Sequence, residues 1–235
     1  MTRLFEVDAL RGIALLAMII YHIFFCLWFF TNMVPWFNPN GTGAPIAATF
    51  VGLAGLSLVL AKKRAKQYLK RGFLILTCAT IVSIVTWIFY PQGCVIFGVL
   101  HLIAFGTVLA IPFLKLKWYF SISAGIIISL LGFVLSNIHL NTSLLIPLGI
   151  IPYGFMSIDY EPLFPWFGVM LIGLAIGKLL YPDGKRNTLM DKFPDYTPKI
   201  AKPLCFIGRH TLIIYLIHIP VIIAILMAFG LAVPW

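Results

Sequence analysis

The chain of 235 residues is 61% hydrophobic and only 10% charged, with a mean hydropathy of +1.03, whereas soluble domains run at about 45–50% apolar and 25% charged. That excludes a soluble enzyme or binding module and predicts a single transmembrane domain over residues 1–235, with no room for a soluble one. The formal net charge of +10 would fit nucleic-acid binding, but the basic residues gather in links between apolar runs, so no nucleic-acid partner is expected.

The first apolar run, 10–31, opens on "DALRGIALLAMIIYH". It mixes acid and base at its start, runs too long for a signal peptide and lacks a small-residue cleavage site before Thr31, so it is expected to stay in the mature protein. Further runs fall at 44–61, 72–90, 94–113, 117–137, 163–181 and 204–230. Each suffices, at about 1.5 Å per residue, for roughly 30 Å of hydrocarbon. The fold class predicted is therefore all-α, a polytopic transmembrane bundle of seven helices. Residues 138–162 are apolar but broken by Pro147, Pro152 and several glycines. They read as an interfacial or re-entrant segment, with an eighth span as the alternative.

Charge placement supplies the orientation. Arg3 and Arg11 precede the first span, Lys62, Lys63, Arg64, Lys66, Lys70 and Arg71 link the second to the third, and Lys115 and Lys117 link the fourth to the fifth. Lys178, Lys185, Arg186, Lys192, Lys199, Lys202 and Arg209 surround the link between the sixth and seventh. With the N-terminus cytoplasmic, all 17 Lys and Arg lie on one side, and the opposite face carries only Asp159 and Glu161. A multi-pass protein of the cell membrane is expected.

Small residues line two spans, Ala48, Gly52 and Gly55 on one and Gly173 and Gly177 on another. Such faces let helix backbones approach, within the bundle or in a homodimer. The cysteines, Cys26, Cys78, Cys94 and Cys205, are scattered without metal-ligand spacing, so they read as small apolar residues and no metal is expected.

Ionisable groups inside a bilayer are costly and point to function. His22, His101 and His218 fall within predicted spans, while His210 and His139 lie near the boundaries. Arg11 and His22 are eleven positions apart, three helical turns and about 20° over, which puts them on one face roughly 16 Å apart, with Asp8 near the same face. That stripe would suit a ligand with an anionic end held at the mouth and a reactive end buried. Equally, Arg11 marks the interface and His22 bonds a neighbouring helix. The last span, "GRHTLIIYLIHIPVI", places Thr211, Tyr215 and His218 on one stripe behind Arg209, and Pro220 frees the Leu216 carbonyl for another donor.

Five stretches, "RLFEVDALRGIALLAMIIYH", "FVGLAGLSLVLAKKRAKQYLKR", "FGVLHLIAFG", "IDYEPLFPWFGVMLIGLAIGK" and "IGRHTLIIYLIHIPV", together resemble the catalytic-domain family of heparan-alpha-glucosaminide N-acetyltransferase in its small prokaryotic form. The Arg11 and His22 pair is also similar to the arginine/histidine motif of the acyltransferase-3 family, in the first helix alone. The resemblance implies that acetyl-CoA is taken from the cytoplasmic side and its acetyl group delivered across the membrane to an amine or hydroxyl of a sugar or cell-surface glycan. A neutral histidine can take the proton of the attacking group. His22 is the expected base, with His101 or His218 assisting. CoA phosphates need cations on the inner face, for which Arg11, Arg71 and Arg209 are the candidates, with Asp8 beside them. Asp159, Glu161 and Tyr215 are the candidate acceptor contacts. Lysosomal members carry a catalytic histidine in the loop after the first span, where this chain reads "TNMVPWFNPNGTG", so direct transfer is expected instead of an acetyl-histidine intermediate. A small proton-coupled permease with the histidines as a relay is the alternative.

Overall fold

A computed structural model describes residues 4–31, 33–62 and 64–231. Arg3 and Lys63 of the charge pattern, and Asn32 of the loop after the first span, lie outside them. The described residues form α1 (Phe5–Thr31), α2 (Pro39–Ala61), α3 (Ala65–Phe89), α4 (Val99–Leu109), α5 (Ile111–Lys115), α6 (Trp118–Leu135), α7 (Leu163–Leu180), α8 (Lys202–Arg209) and α9 (Thr211–Ala228). Apart from short 3-10 turns, only two isolated β-bridges add to them. Six helices, α1, α2, α3, α6, α7 and α9, are long and apolar enough to cross a membrane, so the chain is a multi-pass helical membrane protein.

The fourth predicted span departs from expectation. Residues 94–113 yield only the eleven-residue α4, followed by α5. Ahead of α4 the backbone is recruited into extended pairing: Phe97 bridges Tyr160, Ile158 N–H donates to the Gly93 carbonyl at 2.9 Å and Glu161 N–H to that of Phe97 at 2.9 Å. Behind it, Pro112 starts a separate short helix because proline cannot donate into a continuing ladder. At about 1.5 Å per residue α4 is roughly 16 Å long, half the hydrocarbon thickness. Residues 138–162 contain one 3-10 turn, Ile146–Leu148, and no longer helix, so they add no eighth helical span. Side chains hold this segment instead, with Tyr160 donating to the Ile146 carbonyl at 2.8 Å and Ser157 to that of Cys94 at 3.0 Å.

The last predicted span, 204–230, also divides. The His210 ring bonds the Phe206 carbonyl at 2.8 Å, the Thr211 hydroxyl donates to the Gly208 carbonyl at 2.6 Å, and His210 N–H reaches back only to Ile207. These bonds close α8 before α9 begins.

Two compact units result. One comprises Met1–Phe50 with Lys192–Trp235, the other Val51–Asp191. In the first, α1 crosses α8 with backbone against backbone. A Cβ on Gly208 would collide with the Asp8 carbonyl, and one on Gly12 with that of Leu204. Buried Cys205 completes the contact, its thiol donating to the Phe5 carbonyl at 3.3 Å. In the second, the two small-residue faces expected from sequence meet each other: Gly173 lies against the Gly52 backbone, Gly177 against Leu56, and Gly55 against the Met170 carbonyl. Gly55, Gly173 and Gly177 are therefore spent on contacts inside the chain.

The contact is asymmetric. A Cβ on Gly52 would meet nothing within 4 Å. We therefore expect Gly173→Ala to destabilise the protein by about 1–3 kcal/mol through overpacking. Gly52→Ala should hold or raise the melting temperature, because alanine is the better helix former. Thermal unfolding of both variants in one detergent checks this.

Candidate functional site

Asp8, Arg11 and Arg209 form one cluster in the first unit. Arg11 Nη1 donates to Asp8 Oδ1 at 2.9 Å, and Arg209 Nε donates to Asp8 Oδ2 at 3.0 Å. The carboxylate side chain is 10% exposed, while the guanidinium side chains are 27% and 36% exposed. One buried anion thus aligns two partly exposed cations. The arrangement depends on the glycine crossing that brings α8 onto the first turns of α1.

Fourteen residues further along α1, about 21 Å at 1.5 Å per residue, stands His22. Its ring packs edge-on against that of His218 in α9, with centroids 4.7 Å apart and planes at 70°. His22 Nδ1 bonds the Met18 carbonyl at 2.8 Å, and His218 Nδ1 bonds the Tyr215 carbonyl at 2.5 Å. A carbonyl only accepts, so this network assigns the proton to Nδ1 in both rings and the lone pair to both Nε2 atoms. His218 Nε2 is buried without a hydrogen-bond partner. Tyr215 lies beside it, ring centroids 5.4 Å apart, and also meets Phe50. Tyr21 packs on His22 at 5.0 Å; sequence reasoning missed this contact, although the adjacent Tyr-His pair at 21–22 was the available signal.

The second unit holds Arg71, His101, Asp159 and Glu161. Arg71 sits in the second turn of α3. His101 stands in the first turn of α4, not within a full-length span, and acts as a capping residue: Gly98 N–H donates to its Nδ1 at 3.3 Å. Here Nδ1 must carry the lone pair, so the neutral ring bears its proton on Nε2, opposite to His22 and His218. Asp159 accepts from Val99 N–H at 3.2 Å, serving the same helix N-terminus across 60 positions of sequence. Gly98 makes room for it, since a Cβ there would strike the carboxylate. Lys178, legible only as a topological charge, donates to the Phe113 carbonyl at 2.5 Å and to that of Leu116, pinning the turn between α5 and α6 to α7. Among the described residues no group of three or more His, Cys, Asp and Glu could hold a metal.

A family model described as heparan-alpha-glucosaminide N-acetyltransferase, catalytic, matches residues 3–220. The chain belongs to this family. The resemblance carried by the five motifs is thereby established over nearly the whole length. Family membership makes the protein an acyltransferase by class, and its apolar helices make it a membrane one. No curated protein matches it, and no solved structure does.

Glu161 supplies the pH dependence of this heparan-alpha-glucosaminide N-acetyltransferase relative. Burial first, and then the charge of Asp159, push its carboxyl from the usual 4.5 up to about 9, and its Oε2 is buried without a partner. A raised carboxyl pKa means that the folded chain keeps a proton the unfolded chain releases. The associated stability is full below pH 4.5 and is lost as the pH rises toward 9. We expect the melting temperature of the wild type to fall across that window and that of Glu161→Gln, which mimics the protonated acid, to fall less. Scanning fluorimetry over a pH series checks this.

Proposed function

We propose that the protein takes an acetyl group from cytoplasmic acetyl-CoA and transfers it across the cell membrane to an amine or hydroxyl of a sugar or cell-surface glycan. Residues 1–235 act as one such domain, with the N-terminus inside and α4 as the short member of seven crossings. The observation that carries this reading is that α1 bears both a guanidinium held by Asp8, that of Arg11, and a half-buried histidine whose Nε2 is the basic nitrogen. An anion anchor and a proton acceptor thus share one rigid element.

In this reading Arg11 and Arg209, aligned by Asp8, hold phosphate of the donor, and the thioester extends along α1 toward His22. The acceptor N–H or O–H gives its proton to His22 Nε2 as its heteroatom bonds the thioester carbonyl carbon. The C–S bond then breaks, and the departing thiolate takes the proton from the imidazolium. His218 assists: its ring lies beside one that becomes a cation and its Nε2 is without a partner, so sharing that proton stabilises the protonated pair. Tyr215 beside His218 contacts the acceptor. Glu161, held neutral and with one oxygen unpartnered, is the outer group proposed to bond an acceptor amine or hydroxyl, while Asp159 orients α4. His101, with its proton on Nε2, suits hydrogen-bond donation more than proton abstraction. Arg71 is the further cation proposed for the donor.

The test is acetyl-CoA binding and acetyl transfer by the full chain in nanodiscs. Arg11→Ala should weaken binding by about tenfold, the loss of one charge-assisted contact. His22→Ala should bind normally and lose about 10²–10⁴-fold in transfer. Absence of acetyl-CoA binding to the wild type, or full transfer by His22→Ala, overturns the reading, and solute flux without CoA binding would replace it with the permease.

A further inference from the structure

In the second unit the ends of several helices border a half-open cavity of about 600 Å³ that none of the residues proposed above for donor or acceptor lines. Its walls come from the end of α2 and the link after it (Leu58, Val59, Lys62), from Tyr68 in α3, from the turn between α5 and α6 (Leu116, Lys117, Trp118), and from the end of α7 with the turn beyond it. The size falls within the roughly 300–1,000 Å³ of small-ligand sites. Three lysines line it, Lys62, Lys117 and Lys178, against one carboxylate, Asp183, so its lining is net cationic.

The lysines differ in what they have left to give. Lys178 spends its protons on the Phe113 and Leu116 carbonyls, with Ser121 Oγ at 3.5 Å, and contributes charge and a fixed wall. Lys62 and Lys117 have no carboxylate partner among the described residues. Lys62 adopts φ +43, a left-handed backbone that non-glycine residues rarely take. Its side chain crosses Gly184, where a Cβ would collide with the lysine stem and where φ is +68. Two left-handed positions therefore combine to lay this ammonium over the cavity. Lys117 stands at the start of α6, whose N-terminus no side chain caps, so the helix dipole adds to the positive field. Buried Tyr68 and Tyr181 and half-exposed Trp118 supply aromatic walls beside the cations.

We propose that this cavity is a phosphate-ester site distinct from the Arg11 and Arg209 pair, taking a phosphate that carries an apolar or aromatic substituent. Lys62 and Lys117 donate to the phosphate oxygens, Lys178 holds the wall, and Trp118 and the tyrosines cover the substituent. The same chemistry is presented by an anionic phospholipid headgroup and by a nucleotide.

Full-length protein in detergent is titrated with dihexanoyl-phosphatidylglycerol, with dihexanoyl-phosphatidylcholine as the zwitterionic control, and separately with coenzyme A, for wild type, Lys62→Gln/Lys117→Gln and Arg11→Ala. Thermal shift and direct binding are read. The proposal expects one of the anionic ligands to raise the melting temperature of the wild type and to bind about tenfold more weakly to the double lysine variant, with phosphatidylglycerol binding to Arg11→Ala as to the wild type. Dependence confined to phosphatidylglycerol names a lipid site, and dependence confined to coenzyme A a nucleotide site. Either ligand binding equally to wild type and to a folded double lysine variant, with no other ligand sensitive to it, overturns the proposal, as does the absence of any shift. Failure of the Arg11 reading shows separately, as acetyl-CoA binding indifferent to Arg11→Ala.

Discussion

In a lipid interior, apolar burial does little to drive one helix onto another, so the fold depends on backbones approaching closely enough for dispersion and polar contacts to act. Glycine supplies that approach in both units. Where α1 crosses α8, Gly12 and Gly208 leave no room for a Cβ, and in the other unit Gly55 and Gly173 do the same for α2 and α7. The first crossing has a chemical result. Without it Arg209 would not share the Asp8 carboxylate with Arg11, and the cation pair would be two unrelated surface arginines.

Electrostatics then divides labour along α1. At its first turns a buried carboxylate holds two cations in fixed orientation. Deeper in the same helix the polar groups are neutral. His22 and His218 bond carbonyls of their own helices, which answers the cost of burying a ring N–H and leaves a basic nitrogen on each. Anchor and base are thus kept apart by the rigidity of one helix.

The second unit uses its polar residues differently. His101 and Asp159 both satisfy N–H groups at the start of α4, a short helix whose N-terminus would otherwise be orphaned in an apolar setting. Lys178 does the same for carbonyls at the turn between α5 and α6. Glu161 stands apart as the acid whose buried oxygen has no partner, and its neutral state is the physical answer to burial beside Asp159.

Composition and periodicity by themselves determined that the chain is an all-helical membrane protein, because apolar runs of span length leave no other way to satisfy the backbone. The motifs determined the family, and helical geometry put Asp8, Arg11 and His22 on one helix, since a residue's place along a continuous helix depends only on counting. The small-residue faces were legible too, though not that they would meet each other. What sequence could not supply is anything set by contact between distant segments. The shortening of the fourth span follows from pairing between residues 93–97 and 158–161, and the His22–His218 pair from the packing of α9 on α1; the division of the last span is by contrast local, set by bonds of His210 and Thr211 to carbonyls three and four residues back. The proton positions on the three histidines follow instead from backbone groups three or four residues away, because a ring's tautomer is chosen by whether its nearest partner is a carbonyl or an N–H, whereas the segments brought beside those rings were decided by tertiary structure alone.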